Sequence, residues 1–585
     1  MSKLLLTNNS SWSSLLRDSF KKAGFKEFSS VGNKEYFTVY KKLKVKSYNC
    51  YFDGDDYAAC TGTFIYKKAI GKQALKLLLN DADNFDLNEI RKNAFGSYAV
   101  VIKKSSKIYV FVDEFHTYSL FYFISDKDYL ITNTFYHIEN LLKKPINQLK
   151  AIEYVAQFNI VDSNTPYEDI YKLLGNEFIQ IDLALEKQQV VKVKPRKVKK
   201  YNFLSLEDAA KTYSDKLLEY AQLKKTLFKK SCVFMTGGAD SRLVLSSYLS
   251  VGSKPKLYRW YGREEILNTK TEDFIVSKKI AKSLHLPLKS FNVIEDFERT
   301  YNKTTGKDFN KYGELTLKYG NNQKWHKLYN KLNVDFVDYG YFGETLVGWA
   351  KIDDMKDFGK SITLRDFILK IYVNSVALKG VVNKQEYIEM LYNEFAQLTD
   401  QLNLDKEALT KEDCMYLFFQ YRLHADTHMC NFTNMYYYHL PILCQPELAD
   451  IAHSVPYKFK HGHKFNLYVT KLLYEKLLDF TYFCHCQYRQ MDKDNLELSF
   501  PTQAINQSQS RLSKALLKIK GICREHKDID RDNYKVKMFC VKEIQNLNQI
   551  PTMQVDEESF SYIPLFTTLL LLSKMNYIIN IDDMR

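Results

Sequence analysis

Up to about residue 185, apolar residues arrive in short β-branched or aromatic runs: "EYFTVY", "LKVKSYNCYF", "SYAVVI", "IYVFVDE", "LFYFI" and "YLITNTF". Asp, Lys, Ser and Gly separate them, which predicts strands. Between them, "GKQALKLLLND" and "LNEIRKNAF" carry helical spacing. Then "EKQQVVKVKPRKVKKYN" has no apolar face and holds seven basic residues in fourteen positions. It reads as an exposed linking strand and loop, with an anion-steering patch as the alternative, and it puts a domain boundary near residue 200.

Beyond that boundary the period changes. A helix, "LEDAAKTYSDKLLEYAQL", leads into the strand "CVFM", a glycine turn and another helix. The strand "KLYRWYG", the helix "TEDFIVSKKIAKSL", "LPLKSFNV" and the strand "VDFVDYG" follow. This alternation predicts a parallel sheet with helices on both faces and ligands at the carboxyl ends of its strands. From about 360 onward the pattern is almost all helical. The expected fold class is α/β: an α+β unit over 1–195, then a parallel-sheet unit with a helical C-terminal part over 200–585.

Composition changes this picture little. A chain of 585 residues is too long for one core, so two or more domains are expected. Hydrophobic content of 45% and charged content of 26% exclude wholesale disorder. A net charge of +15 is a mild bias, compatible with an anionic substrate such as ATP, with nucleic acid, or with neither. "MSKLLLTNNSSWSSLL" has too short an apolar run for a signal peptide and no cleavage site. "IPLFTTLLLLSKM" reaches about half the ~20 residues needed to cross a bilayer, so a buried helix is expected and no membrane span. The ten cysteines are scattered, and Cys484 and Cys486 have no second pair to close a zinc site. A reduced, cytoplasmic protein is the expectation.

The chemistry concentrates in "CVFMTGGADSRLVLSSYL", residues 232–249. A buried strand that turns through Thr236, Gly237 and Gly238 into a helix makes an anion site. Glycines let backbone N–H groups crowd round an oxyanion, and the helix N-terminus adds partial positive charge. Thr236 and Ser241 offer hydroxyls. Asp240 suits a Mg²⁺ that phosphates also ligate. No lysine starts the helix, so this is not the G-x-x-x-x-G-K-S/T loop. A plain tight turn with a capping aspartate is the bland alternative.

These residues resemble a known family. "TGGADS" is similar to the S-G-G-x-D-S pyrophosphate loop of N-type ATP pyrophosphatases, and "RLVLSSYL" looks most like the asparagine synthetase branch. "TKTEDFIVSKKIAKSL" resembles that family's acidic-start helix, with Asp273 in the acidic position. "DYGYFGETLVGW" resembles its second glycine-rich segment, carrying Glu344, Gly348 and Trp349. "HLPILCQPELADIAHSVPYKFK" resembles the R-V-P-F-L-D segment and the helix after it. Upstream, "NAFGSYAVVIKKSSKIYVFVDEFHTYSLFYF" resembles the N-terminal glutaminase domain. The resemblance implies a class II amidotransferase-type α+β sandwich followed by an ATP pyrophosphatase domain. It also implies a chemistry in which ATP transfers AMP to a carboxylate and an amine attacks the adenylate.

Departures refine the expectation. Glutaminases of this type need a cysteine directly after Met1, and here that place is Ser2, with the first cysteine at Cys50. The N-terminal domain is therefore read as catalytically silent, as in β-lactam synthetases and lasso-peptide cyclases. Gly343 stands where the family has an aspartate that helps hold metal and pyrophosphate, leaving Asp338 or Glu344 as substitutes. Cys444 replaces the aspartate of P-F-L-D, and Tyr437 stands near the glutamate of E-V-R, so ion pairing there is expected to be rewired. For the family's late cation, "CQYRQMDKDNLELSF" offers Lys493, with Arg489 as the alternative; a solvated surface charge is the bland reading of either.

Trp260 and Tyr258 end the second strand, where the family's adenine sits, and core packing is the competing reading. His453, His461 and His463 are read as surface histidines ahead of a base for the amine. The expected function is an AMP- and pyrophosphate-forming amide synthetase using ATP and Mg²⁺. Glu344 would orient or deprotonate the nucleophile, and the acid could be a small molecule, a peptide or a sugar acid. A tRNA-modifying pyrophosphatase and a nucleotide-binding scaffold are the alternatives. Nucleic acid is the lesser partner, and a homodimer is compatible with the sequence.

Overall fold

The computed structural model describes residues 3–22, 24–32, 35–145, 147, 149–150, 153, 159–194, 199–261, 269–292, 328–347, 352, 355, 359–373, 384–484, 487–492 and 497–499. The run "IPLFTTLLLLSKM" lies outside these residues. Among the described residues no helix is long and apolar enough to cross a membrane.

Among the described residues, thirteen strands build the N-terminal part: β1 (Leu4–Thr7), β2 (Glu27–Gly32), β3 (Tyr36–Tyr40), β4 (Cys50–Asp53), β5 (Asp56–Tyr66), β6 (Ala69–Ile70), β7 (Ala94–Lys104), β8 (Lys107–Val112), β9 (Phe121–Ile124), β10 (Tyr129–Thr132), β11 (Tyr171–Lys172), β12 (Glu177–Asp182) and β13 (Lys187–Lys192). They form two antiparallel sheets, ordered β11-β9-β10-β1-β3-β2 and β13-β12-β8-β7-β5-β4, with β6 paired to β5. The period of two decides what each face buries. Leu4, Leu6, Phe37 and Val39 of one sheet share a buried core with Tyr57, Ala59, Val101 and Val110 of the other, and Phe37 stacks on Tyr57 at 4.8 Å. Their neighbours Ala58, Val100, Ile102 and Phe111 face the opposite way, under helices α2 (Gly71–Asp81) and α3 (Leu87–Lys92). Helix α1 (Ser10–Lys22) packs Phe20 on Tyr40 and Trp12 on Phe123. The linking stretch expected to be exposed begins as strand β13, whose residues are all half-buried or exposed.

One expectation fails locally. "LKVKSYNCYF" is a strand only from Cys50. The N–H groups of Leu43 and Lys44 donate instead to Met435 and Tyr436 carbonyls, where a long helix ends and leaves carbonyls to be satisfied.

The second part centres on β14 (Ser231–Phe234), β15 (Lys256–Tyr261), β16 (Leu288–Asn292) and β17 (Phe336–Asp338), all parallel and ordered β16-β15-β14-β17. Helix α4 (Leu206–Leu227) enters this sheet, α5 (Ala239–Ser250) leaves β14 and α6 (Thr269–Ser283) leaves β15. Helices α7 (Lys384–Leu402), α8 (Lys411–Tyr436), α9 (Pro446–Ser454) and α10 (Lys464–Tyr474) supply the helical part. A small antiparallel sheet, β18 (Tyr482–Cys484), β19 (Gln487–Asp492) and β20 (Glu497–Ser499), departs from the all-helical expectation.

Helix α8 joins the two parts. Asn431 exchanges hydrogen bonds with the backbone of Ser119 (2.8 and 3.0 Å), and Asn434 accepts from Thr63 Oγ1 at 2.7 Å. Lys42 is buried at the end of α8 and donates to Asn434 O, Asn434 Oδ1 and Tyr437 O at 2.8, 3.1 and 3.2 Å.

Candidate functional site

Chain order reverses between β14 and β17, with β15 and β16 on one side and β17 on the other. In an open parallel sheet the crevice outside the carboxyl ends of such a pair is where ligands bind. The glycine turn leaves β14 at this place, and Gly340 to Glu344 leaves β17 beside it. The two segments touch: a Cβ on Gly340 would lie 2.7 Å from Ser241 N. Only a hydrogen fits there.

Within the turn, Thr236 Oγ1 and Ser241 Oγ lie 2.9 Å apart, Thr236 N donates to Ser241 Oγ (3.1 Å), and Gly238 N donates to Thr236 Oγ1 (3.2 Å). The hydroxyls thus brace the loop before any ligand arrives. Gly238 is the N-cap of α5 and supplies no side-chain cap, so the positive helix end is not closed off by a side chain. Gly237 N donates to Oδ1 of Asp273, whose other oxygen lies 3.5 Å from Arg259 Nε. The sequence placed Asp273 on a helix start; its reach back to the loop needed the fold.

Arg242 carries no signal in the sequence. Fully buried, it donates to the carbonyls of Leu477 (3.3 Å), Phe480 (2.8 Å), Gly237 (2.9 Å) and Thr481, and its guanidinium lies 3.6 Å from the Tyr482 ring centroid. One side chain therefore ties the loop to the segment leading into β18. Tyr482 in turn pairs in register with Arg489. The side chain of Arg489, all of Lys493 and the side chain of Trp260 lie outside the described residues. Tyr258 is core, packed on Phe234 (5.9 Å) and Phe291 (5.6 Å).

Asp240 is half-buried, and its Oδ1 accepts from Asn466 Nδ2 of α10 at 3.0 Å. Burial first, and then the neighbouring Glu344 carboxylate, push its pKa up to about 8 against the pull of that hydrogen bond. A Cβ on Gly343 would fall inside the Asp240 carboxyl group. Glu344 is the second residue of a short 3₁₀ turn, Gly343–Leu346, entered through Phe342, whose φ of 66° is strained for an aromatic residue and is fixed by buried edge-on packing against Phe419. Of the two substitutes named for the absent aspartate, Glu344 is the neighbour of Asp240. Asp338 turns into the core, paired with Lys224 and accepting from Tyr248 Oη (3.1 Å) and Tyr339 N (3.0 Å).

The donor set suits a hard divalent cation: two half-buried carboxylates, Asp240 and Glu344, plus the buried Asn466 Oδ1, which has no hydrogen-bond partner among the described residues. Among the described residues no group of three or more His, Cys, Asp or Glu gathers as a metal site.

The remaining expectations divide. His453 corrects the surface reading: its ring nitrogens are buried, its ring sits edge-on to Tyr416 (4.2 Å) and Phe419 (4.9 Å), and burial pushes its pKa well down. It is a half-buried residue whose neutral ring is turned inward among aromatic side chains. His461 and His463 flank the turn through Gly462 into α10. Tyr437 donates to the carbonyls of Tyr329 and Leu332, both at 2.6 Å, and Cys444 is buried. Cys50, first of the cysteines, is a buried thiol pushed up to about 12, unsuited to act as a nucleophile. Ser2 lies outside the described residues. A separate cavity of about 1110 Å³ opens on the seam between the two parts, walled by Arg91, Phe95, Phe115, Tyr220 and Tyr416, and none of residues 236–241 lines it.

No family model matches the chain, and no curated protein matches it. Among solved structures it is similar to an NMN synthetase from Francisella tularensis, at 16% identity and a TM-score of 0.14, over 16% of this chain and 39% of that one. It is also similar to the glutamine phosphoribosylpyrophosphate amidotransferase from B. subtilis, solved with ADP and GMP, at 9% identity and a TM-score of 0.23, over 49% of this chain and 65% of that one. A structure titled as the allosteric regulatory enzyme of purine biosynthesis shares 9% identity at a TM-score of 0.24, over 49% of this chain and 80% of that one. The chain thus spans less than two thirds of the length of the first two of these proteins.

Proposed function

We propose that the chain is an ATP-dependent amide-bond synthetase, resembling the asparagine synthetase-like family but without glutaminase activity of its own. The observation that carries this reading is the meeting of the Thr236–Ser241 turn, with its Asp240, and the Gly340–Glu344 segment, with its Glu344, at the sheet's switch point. In this reading residues 1–195 form the silent glutaminase-like domain and residues 200–585 the synthetase domain, in a cytoplasmic protein.

The carboxylate of the acceptor attacks the α-phosphorus of ATP, forming a C–O–P linkage and releasing pyrophosphate. An amine then attacks the acyl carbon, and AMP leaves with the C–O electron pair. Thr236, Gly237, Gly238 and Ser241 would bind the pyrophosphate through loop N–H groups, hydroxyls and the α5 N-terminus. Asp240, with Glu344 beside it, would hold Mg²⁺, which when bound neutralises phosphate charge. Glu344 would take the amine's proton. Trp260 would flank the adenine, and Lys493 or Arg489 would supply the late positive charge; the contact of Arg242 with Tyr482, in register with Arg489, supports a late cation near the loop.

The test is ATP turnover with product identification across carboxylates, peptides and sugar acids, with Asp240→Ala as control. AMP and pyrophosphate, lost in the variant, are expected; ADP and phosphate would overturn the reading. A scaffold that binds nucleotide without turnover is the second reading, favoured by the Asp273 carboxylate already bonded to Gly237 N. Tight ATP binding without any product would select it.

A further inference from the structure

Asn466 was silent in the sequence and stands at the centre of the site. It lies in the first turn of α10, fully buried, with Nδ2 donating to Asp240 Oδ1 at 3.0 Å. What places it there is the entry to α10. Gly462 and His463 take left-handed backbone angles in succession, with φ of 61° and 65°, which fixes where the helix begins. The next residue, Leu467, packs on Ala239, the residue before Asp240, so α10 is held along the start of α5.

Gly343, beside the same carboxyl group, has no side chain, and Asp240 takes up the room. The carboxylate is thus gripped by an amide from α10 and given space by a glycine from the β17 exit. A second aspartate at 343, as in the family resembled, would collide with Asp240 and add a third negative charge beside Glu344.

We propose that Asn466 is a positioning residue: it aims Asp240 so that Oδ2 and the Glu344 carboxylate face a divalent cation, an orientation that Gly343 leaves room for. The inference rests on the ATP reading above. A neutral donor is the right chemistry for the task. It fixes one carboxylate oxygen without competing for the cation, and its remaining Oδ1 is a further oxygen donor in a buried place. Arginine or lysine there would repel the cation. Hydrogen bonds to a charged group carry a factor of about 10 to 100 in an equilibrium, so the loss of this one is measurable.

The experiment titrates the full chain with Mn²⁺ by electron paramagnetic resonance, with and without a non-hydrolysable α,β-methylene ATP, in wild type, Asn466→Leu and Asn466→Ala. Leucine keeps the shape of asparagine and removes the donor, so it guards against a variant that fails to fold; thermal melts check both. The expected result is Mn²⁺ affinity weakened about 10- to 100-fold in both variants, with binding of the metal-free nucleotide in EDTA unchanged. Unchanged Mn²⁺ affinity would overturn the proposal. So would an equal loss with and without metal, which marks general damage to the loop. A wild type that binds neither Mn²⁺ nor nucleotide would overturn the ATP reading itself, and the inference with it, by a pattern distinct from the other two.

Discussion

The Asp240 carboxyl group occupies the space beside Gly343 that any other residue's Cβ would need. Position 343 is therefore a steric requirement of the present site rather than a lost ligand. Gly343→Ala is expected to cost about 1–3 kcal/mol of stability, as overpacked substitutions do, and to abolish turnover by forcing Asp240 aside. Gly343→Asp should be worse, since it adds a charge as well as a clash. Chemical denaturation and pyrophosphate exchange measure the two effects; higher divalent-cation affinity in Gly343→Asp would show that Asp240 can move away without loss.

Arg242 serves four carbonyls, two of them on residues that flank the turn into β18. Lysine cannot reproduce a planar fork, and methionine leaves buried carbonyls without donors. Arg242→Lys and Arg242→Met should each lose about 2–4 kcal/mol. Nucleotide affinity should fall with them, because Gly237 O is among the acceptors. Equal nucleotide affinity in the folded Arg242→Lys protein would separate the clamp from the loop's function.

Much of this site was legible in one dimension because its residues are neighbours along the chain. Strand, glycines, Asp240 and Ser241 all fall between Ser231 and Ser241, and a buried strand running into Gly-Gly marks a tight turn by itself. The sheets of the N-terminal part were legible for the same reason, through a period of two that the packing of Phe37 on Tyr57 bears out. What stayed hidden is contributed across long gaps: Asn466 to Asp240, Arg242 to Phe480, Asp273 to Gly237. No spacing rule reports such meetings. His453 misled for another reason. Grouped in sequence with His461 and His463, it reads as surface, and only the packing of Tyr416 and Phe419 shows that its ring is turned inward.

Lys224 and Asp338 form a fully buried ion pair behind the site. Removing one partner leaves a charge in the core, so Asp338→Asn is expected to cost about 3–5 kcal/mol, whereas a combined Lys224→Met, Asp338→Leu exchange should recover much of it. Divalent-cation affinity of the double variant should match wild type, because Asp338 turns away from Asp240. A loss of Mn²⁺ binding in the folded double variant would return Asp338 to the site.

Lys42 predicts a pH dependence at the seam between the two parts. Its ammonium is buried at the end of α8 among carbonyl acceptors, with the Tyr438 ring at 5.0 Å and Cys60 and His439 as its titratable neighbours. Burial pushes its pKa down to about 7, against a smaller pull upward from Cys60. The unfolded chain keeps the proton to about 10.4. Between these values the unfolded state binds more protons than the folded one, so this residue's contribution to stability rises with pH from about 7 to about 10.4, by at most ~1.4 kcal/mol per unit. Below pH 7 both states are charged and the burial penalty is present in full. Lys42→Met cannot titrate, so the stability of wild type relative to this variant should climb across the same window, as read from urea denaturation at pH 6.5, 7.5, 8.5 and 9.5. If the difference stays flat, the three carbonyls that match the three N–H donors keep the ammonium charged throughout, and Lys42 is a fixed clamp on the end of α8 rather than a titrating one.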